Sequence, residues 1–159
     1  MRLILIVPVL LLAGCTTLSF QGLFGTAPTP AVAVPSPTLD PTPPPPPPVT
    51  AVTAEQFDTT TEEDRVAAVV TEPSGGDQAL GTTIASLGPP ADPGIWLETP
   101  LVTVLSPGRI TYQGKSINVE LRPSGGATGS GSQISLAAMR LIEAPLTSLP
   151  EITVFSVGQ

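Results

Sequence analysis

The sequence predicts a mainly β protein: a small six-stranded barrel carrying one short helix, preceded by a short helix and a disordered proline-rich linker. Three observations lead there. Between Leu80 and Val157, short runs rich in β-branched residues alternate with Gly and Pro, the pattern of closely spaced strands. Ahead of them, Glu62, Glu63 and Asp64 follow Thr61, the composition of a helix start. Further back, Pro43 to Pro48 form an unbroken run that excludes helix and central strand, because each ring fixes φ and removes an N–H.

In chain order, residues 1–14 read as a signal peptide: Arg2, an uncharged apolar run from Leu3 to Leu12, and small residues ahead of Cys15. The run is too short to span a bilayer, which takes about 20 apolar residues. Leu12-Ala13-Gly14-Cys15 resembles the lipobox of bacterial lipoproteins, in which the Cys thiol takes a diacylglyceryl group before cleavage just ahead of it. The resemblance implies lipidation at Cys15, with acyl chains such as palmitate holding the mature chain to a membrane. One chain binds marginally, whereas several, at about 0.8 kcal/mol per buried CH₂, anchor firmly. In that family an Asp after the Cys favours the inner membrane; here the residue is Thr16, so the expected place is the outer membrane with the body in the periplasm.

Residues 15–53 read as the linker. From Ala27 to Thr50 the default is polyproline II, a semi-rigid spacer extending about 3.1 Å per residue and reaching on the order of 70 Å. The alternative use of such a run is as a P-x-x-P ligand for an aromatic groove. Residues 54–72 read as an acidic helical segment. Thr61 and Asp64 have capping-box spacing, and a helix running to about Val70 would draw an apolar face from Phe57, Val66, Val69 and Val70. Seven of the 13 acidic residues fall between Glu55 and Asp77. No Asp-x-Asp-x-Asp-Gly spacing is among them, so they read as a solvated face rather than a cation site.

The barrel is assigned to residues 75–159. Its expected strands are Leu80 to Leu87, Ile95 to Glu98, Leu101 to Leu105, Arg109 to Tyr112, Ser116 to Arg122 and Ile152 to Val157. Ile117, Val119 and Leu121 alternate with polar neighbours, as a strand with one buried face requires. Gln113-Gly114 is the turn that pairs this strand with the one before it. The helix, capped by Ser132 or Ser135, carries Leu136, Met139, Arg140 and Glu143 and stops before Pro145. Residues 124–131 form a Gly/Ser-rich loop that matches no phosphate-binding fingerprint.

The stretch GKSINVELRPSGGATGSGSQISLAAMRLI followed by EITVFSV resembles the second half of the double-psi β-barrel of the rare-lipoprotein-A family. Members are lipoproteins, and some cleave naked peptidoglycan glycan as lytic transglycosylases. The resemblance covers about 45 residues and implies a double-psi-like barrel and a cell-wall setting. Where the family has an acid at the helix start this chain has Ser135, and the family's His has no counterpart. Glycosidic cleavage needs a carboxyl group placed to protonate the leaving oxygen. The chain is therefore expected not to be an enzyme, with a lytic-transglycosylase-like activity as the alternative. The combination of TAEQFDTTTEEDR, LGTTIASLGPPADPGIWLETPLV and ISLAAMRLIEAPLTSLPEI also resembles short bacterial lipoproteins sometimes labelled D-galactarate dehydratase. Those dehydratases are much larger, and the residues here support no such reaction.

Composition narrows the function further. A formal charge of −7 disfavours a nucleic-acid partner, which needs clustered Lys and Arg. Cys15 is the single cysteine and the chain has no His, so no cofactor or metal is expected and the commonest general base is missing. Glu98 and Glu120 are the acids on the expected barrel strands. Trp96, the sole tryptophan, suits stacking on a sugar, filling an interface pocket, or the core. The expected function is an outer-membrane-anchored periplasmic lipoprotein that binds an envelope protein or peptidoglycan, with Trp96, Glu98 and Glu120 as candidate contacts.

Overall fold

A computed structural model describes residues 42–69 and 76–157. Cys15, the signal peptide, most of the linker and Val70 lie outside the described residues. Two short helices, α1 (Ala54–Phe57) and α2 (Glu62–Ala68), precede six strands: β1 (Gln78–Leu87), β2 (Trp96–Thr99), β3 (Ser106–Tyr112), β4 (Lys115–Pro123), β5 (Ser132–Ile134) and β6 (Glu151–Ser156). Helix α3 (Leu136–Leu141) lies between β5 and β6.

The strands close into a barrel in the order β1-β5-β2-β4-β3-β6. Two of the pairings are parallel, β1 with β5 and β2 with β4, and the other four are antiparallel. Replacing every strand by the one three places along the chain returns the same ring and the same pairing directions. The barrel is thus double-psi-like, built from two halves, β1–β3 and β4–β6, related by a pseudo-two-fold. The helix breaks that symmetry: α3 fills the connection between β5 and β6, whereas residues 100–105, between β2 and β3, form turns.

Side chains from all six strands fill the interior, among them Ala85, Leu97, Ile110, Ile117, Val119, Leu121, Ile134, Ile152 and Val154, with Met139 and Ile142 from α3 and its C-cap. Burying each large aliphatic chain contributes roughly 1.5–3 kcal/mol. One buried hydroxyl chain interrupts this apolar filling. Ser132 Oγ lies 2.8 Å from Thr83 Oγ1 and donates to Thr99 Oγ1 across 2.9 Å, linking β5 to β1 and β2 and satisfying polar groups that would be costly alone. The β3–β4 hairpin turns at Gln113-Gly114, both with positive φ (46° and 82°), as a tight hairpin on twisted strands demands.

Two expected elements differ. Leu101–Leu105 is not a strand: Leu101 and Val102 pack half-buried against the core from turns, and Val104 and Leu105 are exposed. The sixth strand is instead Ser132–Ile134, so Ser132 belongs to β5 and Ser135 alone caps α3. In the acidic segment, the capping box of Thr61 and Asp64 is present. The apolar face expected from Val66 and Val69 is exposed, and Ala68 is the residue that enters the core. A backbone bridge from Val69 to Ile117 holds this end of the helix against β4.

The segment from 42 to 69 is seated on the barrel. Asp58, its side chain 3% exposed, pairs with Arg140 of α3 at 2.8 Å and with Arg65 of α2 at 3.3 Å. The proline run also touches down: Pro44 and Pro47 are half-buried, and Thr59 Oγ1 donates to the Pro45 carbonyl across 2.6 Å.

Candidate functional site

Strand alternation sorts the outward side chains of β2 and its neighbours. Leu97 belongs to the core, so Trp96 and Glu98 point out of the barrel. Glu98 stands opposite Gln133 of β5 on one side and Arg122 of β4 on the other, and Gln133 stands beside Ser86 of β1. The result is one row across four strands, Ser86-Gln133-Glu98-Arg122, offering hydroxyl, amide, carboxylate and guanidinium in sequence. Beside the row lies a cleft of about 580 Å³. Its far wall is the Gly/Ser loop that follows β4, with Ser130 and Gly131 facing inward, and its rim carries the largely exposed Ile84 and Leu149.

The Glu98 side chain makes no hydrogen bond or ion pair with the described residues, and it is the carboxylate lining the cleft. Glu120 is differently placed. Its Oε1 accepts from Arg122 Nε at 2.6 Å, and the same guanidinium reaches Asp92 Oδ2 at 3.0 Å. The two acids are two residues removed from each other in register, since Glu120 pairs with Trp96. Glu98 is thus open to a ligand, while Glu120 serves to orient Arg122.

Trp96 is on the outer face yet only 1% exposed. The β1–β2 connection folds over it: a Cβ on Gly88 would fall 2.5 Å from Trp96 Cη2, so only glycine leaves room for the indole. Arg122 covers its other aspect, with Cζ 4.9 Å from the ring centroid, a cation–π contact. The indole N–H points to the Asp92 carbonyl at 3.4 Å. Trp96 therefore shapes the wall beside the row rather than presenting a stacking surface.

Ser135, at the position where the resemblance implies an acid, is fully buried. Its Oγ accepts from Ala138 N at 3.2 Å and from Trp96 N at 3.1 Å, and its own N–H donates to the Trp96 carbonyl at 3.0 Å. It ties the start of α3 to β2 and has no path to a ligand. Gln133 and Ser86 escaped sequence reasoning because residues 132–134 read as the helix approach; without β5, Glu98 has no neighbour on that side and no link to β1. The alternation of Ser132, Gln133 and Ile134 was the available signal, but three residues are too few to distinguish a strand from a helix lead-in.

Among the described residues, no group of three or more His, Cys, Asp or Glu is placed to hold a metal ion, and no helix is long and apolar enough to cross a membrane. No family model matches the chain, and no curated protein or solved structure matches it.

Proposed function

We propose that the chain is a lipid-anchored lipoprotein of the outer membrane, facing the periplasm, whose barrel is a non-catalytic module that binds peptidoglycan. The observation that carries the binding reading is that Ser86, Gln133 and Glu98, adjacent across three strands, line one open cleft. Hydroxyl, amide and carboxylate groups at strand spacing suit a polymer that offers hydroxyls and amide N–H groups at short intervals. The symmetric double-psi-like ring agrees with the resemblance to the rare-lipoprotein-A barrel. A non-catalytic role is favoured because Ser135 is consumed as a buried cap and Glu120 by Arg122, leaving Glu98 without a second carboxylate across the cleft. Exposed Ile84 and Leu149 at the rim favour a second reading, an extended segment of an envelope protein.

The anchor is tested by incorporation of labelled palmitate into the full chain, expected for the native sequence and lost in Cys15→Ser. Binding is tested by sedimentation with intact peptidoglycan. Native protein is expected to co-sediment, and Glu98→Ala and Gln133→Ala to reduce retention several-fold without changing the unfolding midpoint. No retention above a detergent-washed control removes the peptidoglycan reading. Release of anhydro-sugars from denuded glycan by native protein, abolished in Glu98→Gln, would establish the enzymatic alternative instead.

A further inference from the structure

The end of the proline run makes a set of contacts that a passive spacer does not need. Polyproline II has three residues per turn, so residues three apart share a face. Pro44 and Pro47 are three apart and are the half-buried prolines of the run, whereas Pro43, Pro45, Pro46 and Pro48 are exposed. The inward face meets a specific surface. Pro44 Cδ would lie 3.7 Å from a Cβ on Gly94, and Trp96 Cδ1 would lie 3.8 Å from that same point, so proline ring, glycine backbone and indole edge converge on one spot. Gly94 has φ +101°, a conformation that turns the chain beneath the proline and that other residues adopt only with strain. Thr59 donates to the carbonyl of Pro45 at 2.6 Å; a polyproline II backbone has no internal hydrogen bonds, so its carbonyls are free to be read in this way. The run then ends in a turn closed by Ala51 N to Pro48 O at 2.9 Å, which directs the chain into α1.

An aromatic edge and a proline ring meeting over one glycine, with a hydroxyl donor to the intervening carbonyl, are the chemistry by which proteins recognise polyproline II. We infer that Gly94, Trp96 and Thr59 form a docking site for a polyproline II helix, occupied by the chain's own Pro43–Pro48 in the register set by Pro44 and Pro47. The low entropy of a proline run makes such docking inexpensive to order. The run therefore belongs to the barrel.

The test uses the full chain and its single tryptophan. Pro44→Ala with Pro47→Ala removes the inward rings; Pro43→Ala with Pro46→Ala removes the same number of outward rings at the same spacing. The inward pair is expected to red-shift Trp96 emission and raise its quenching by acrylamide, with the outward pair like the native chain. A peptide of residues 42–50 added to the inward variant is expected to restore the native emission, and the peptide carrying both inward alanines is not. Equal responses of the two pairs, whether both shift or neither does, would overturn the inference, and so would failure of the native peptide to restore the signal. Circular dichroism of each variant separates loss of docking from loss of the barrel, since an unfolded barrel loses its β signal and the inference requires it kept.

Discussion

Arg140 Nη1 donates to Asp58 Oδ2 across 2.8 Å, joining the barrel's helix to a carboxylate 82 residues earlier in the chain. The carboxylate is buried by its partners: Arg65 lies 3.3 Å away, Thr60 N–H reaches Oδ1 at 3.3 Å, and the Thr60 hydroxyl donates to the same oxygen. Asp58→Ala leaves two guanidinium groups and a hydroxyl without their acceptor. Because both arginines keep about a third of their surface in water, the expected loss is moderate, about 2 kcal/mol in urea unfolding. Glu55 also faces Arg140, but at 3.7 Å and from an exposed position, so Glu55→Ala is expected to leave the midpoint unmoved.

A second ion pair is enclosed on both sides. Arg109 Nε approaches Asp77 Oδ2 to 2.7 Å with both side chains about 5% exposed, while Arg109 Cζ sits 4.3 Å from the Phe155 ring centroid. The contact is ionic without hydrogen-bond alignment, and neither oxygen of Asp77 accepts a well-directed donor. Such a pair adds little over apolar packing, yet losing one partner strands a charge. Asp77→Ala is expected to cost about 3 kcal/mol, and the double change Asp77→Leu with Arg109→Met to recover most of it, in parallel denaturant titrations.

Glycine at 108 is required by closeness rather than by φ. A Cβ there would fall 2.3 Å from Leu121 Cδ1 and 2.8 Å from the Phe155 carbonyl, so side chain and backbone both obstruct it. Gly108→Ala is expected to lower stability by about 3 kcal/mol through overpacking and displacement of β6. Gly114→Ala meets nothing within 4 Å and bears only the strain of its positive φ, about 1 kcal/mol. Comparing the two unfolding curves separates crowding from conformation.

Ser135 gives a test that divides structure from chemistry. Ser135→Ala removes the acceptor for two buried N–H groups and is expected to cost about 2 kcal/mol. Ser135→Asp restores the residue type of the resembling family, but the position is enclosed, so no release of anhydro-sugar from denuded glycan is expected. Activity in that variant would show that the cleft needs only an acid to become an enzyme.

What could be read from sequence depended on how much chain each element had to show its period. Ser116 to Arg122 displayed three alternations and is a strand; Thr61 and Asp64 carried their own cap signature and form it. Leu101–Leu105 had strand composition, but tertiary packing of Leu101 and Val102 beside Thr99 left it as turns. Ser132–Ile134 was illegible because its strand identity comes from partners, Ala85 to Leu87 and Leu97, far away in sequence. The same dependence hid the candidate site: Glu98 was visible as an acid on a strand, while Gln133 and Ser86 became its neighbours only through that pairing. Trp96 suits ligand contact or the core, and it is enclosed, although on the outer face; its cover at Gly88 lies outside the reach of any local pattern.

The ring order has a kinetic consequence. Strand β1 finds both its neighbours, β5 and β6, at the far end of the chain, so nothing can pair with it until Ser132 to Ile134 have been delivered, and its second edge stays open until Glu151 to Ser156 follow. Rings built on such distant pairings fold in the slow range of small domains, milliseconds to seconds. During that interval β1 and β3 wait with open edges, because β6 is the piece that closes both. A chain cut before Glu151 would not make a smaller ring; it would carry two unpaired edges and associate through them.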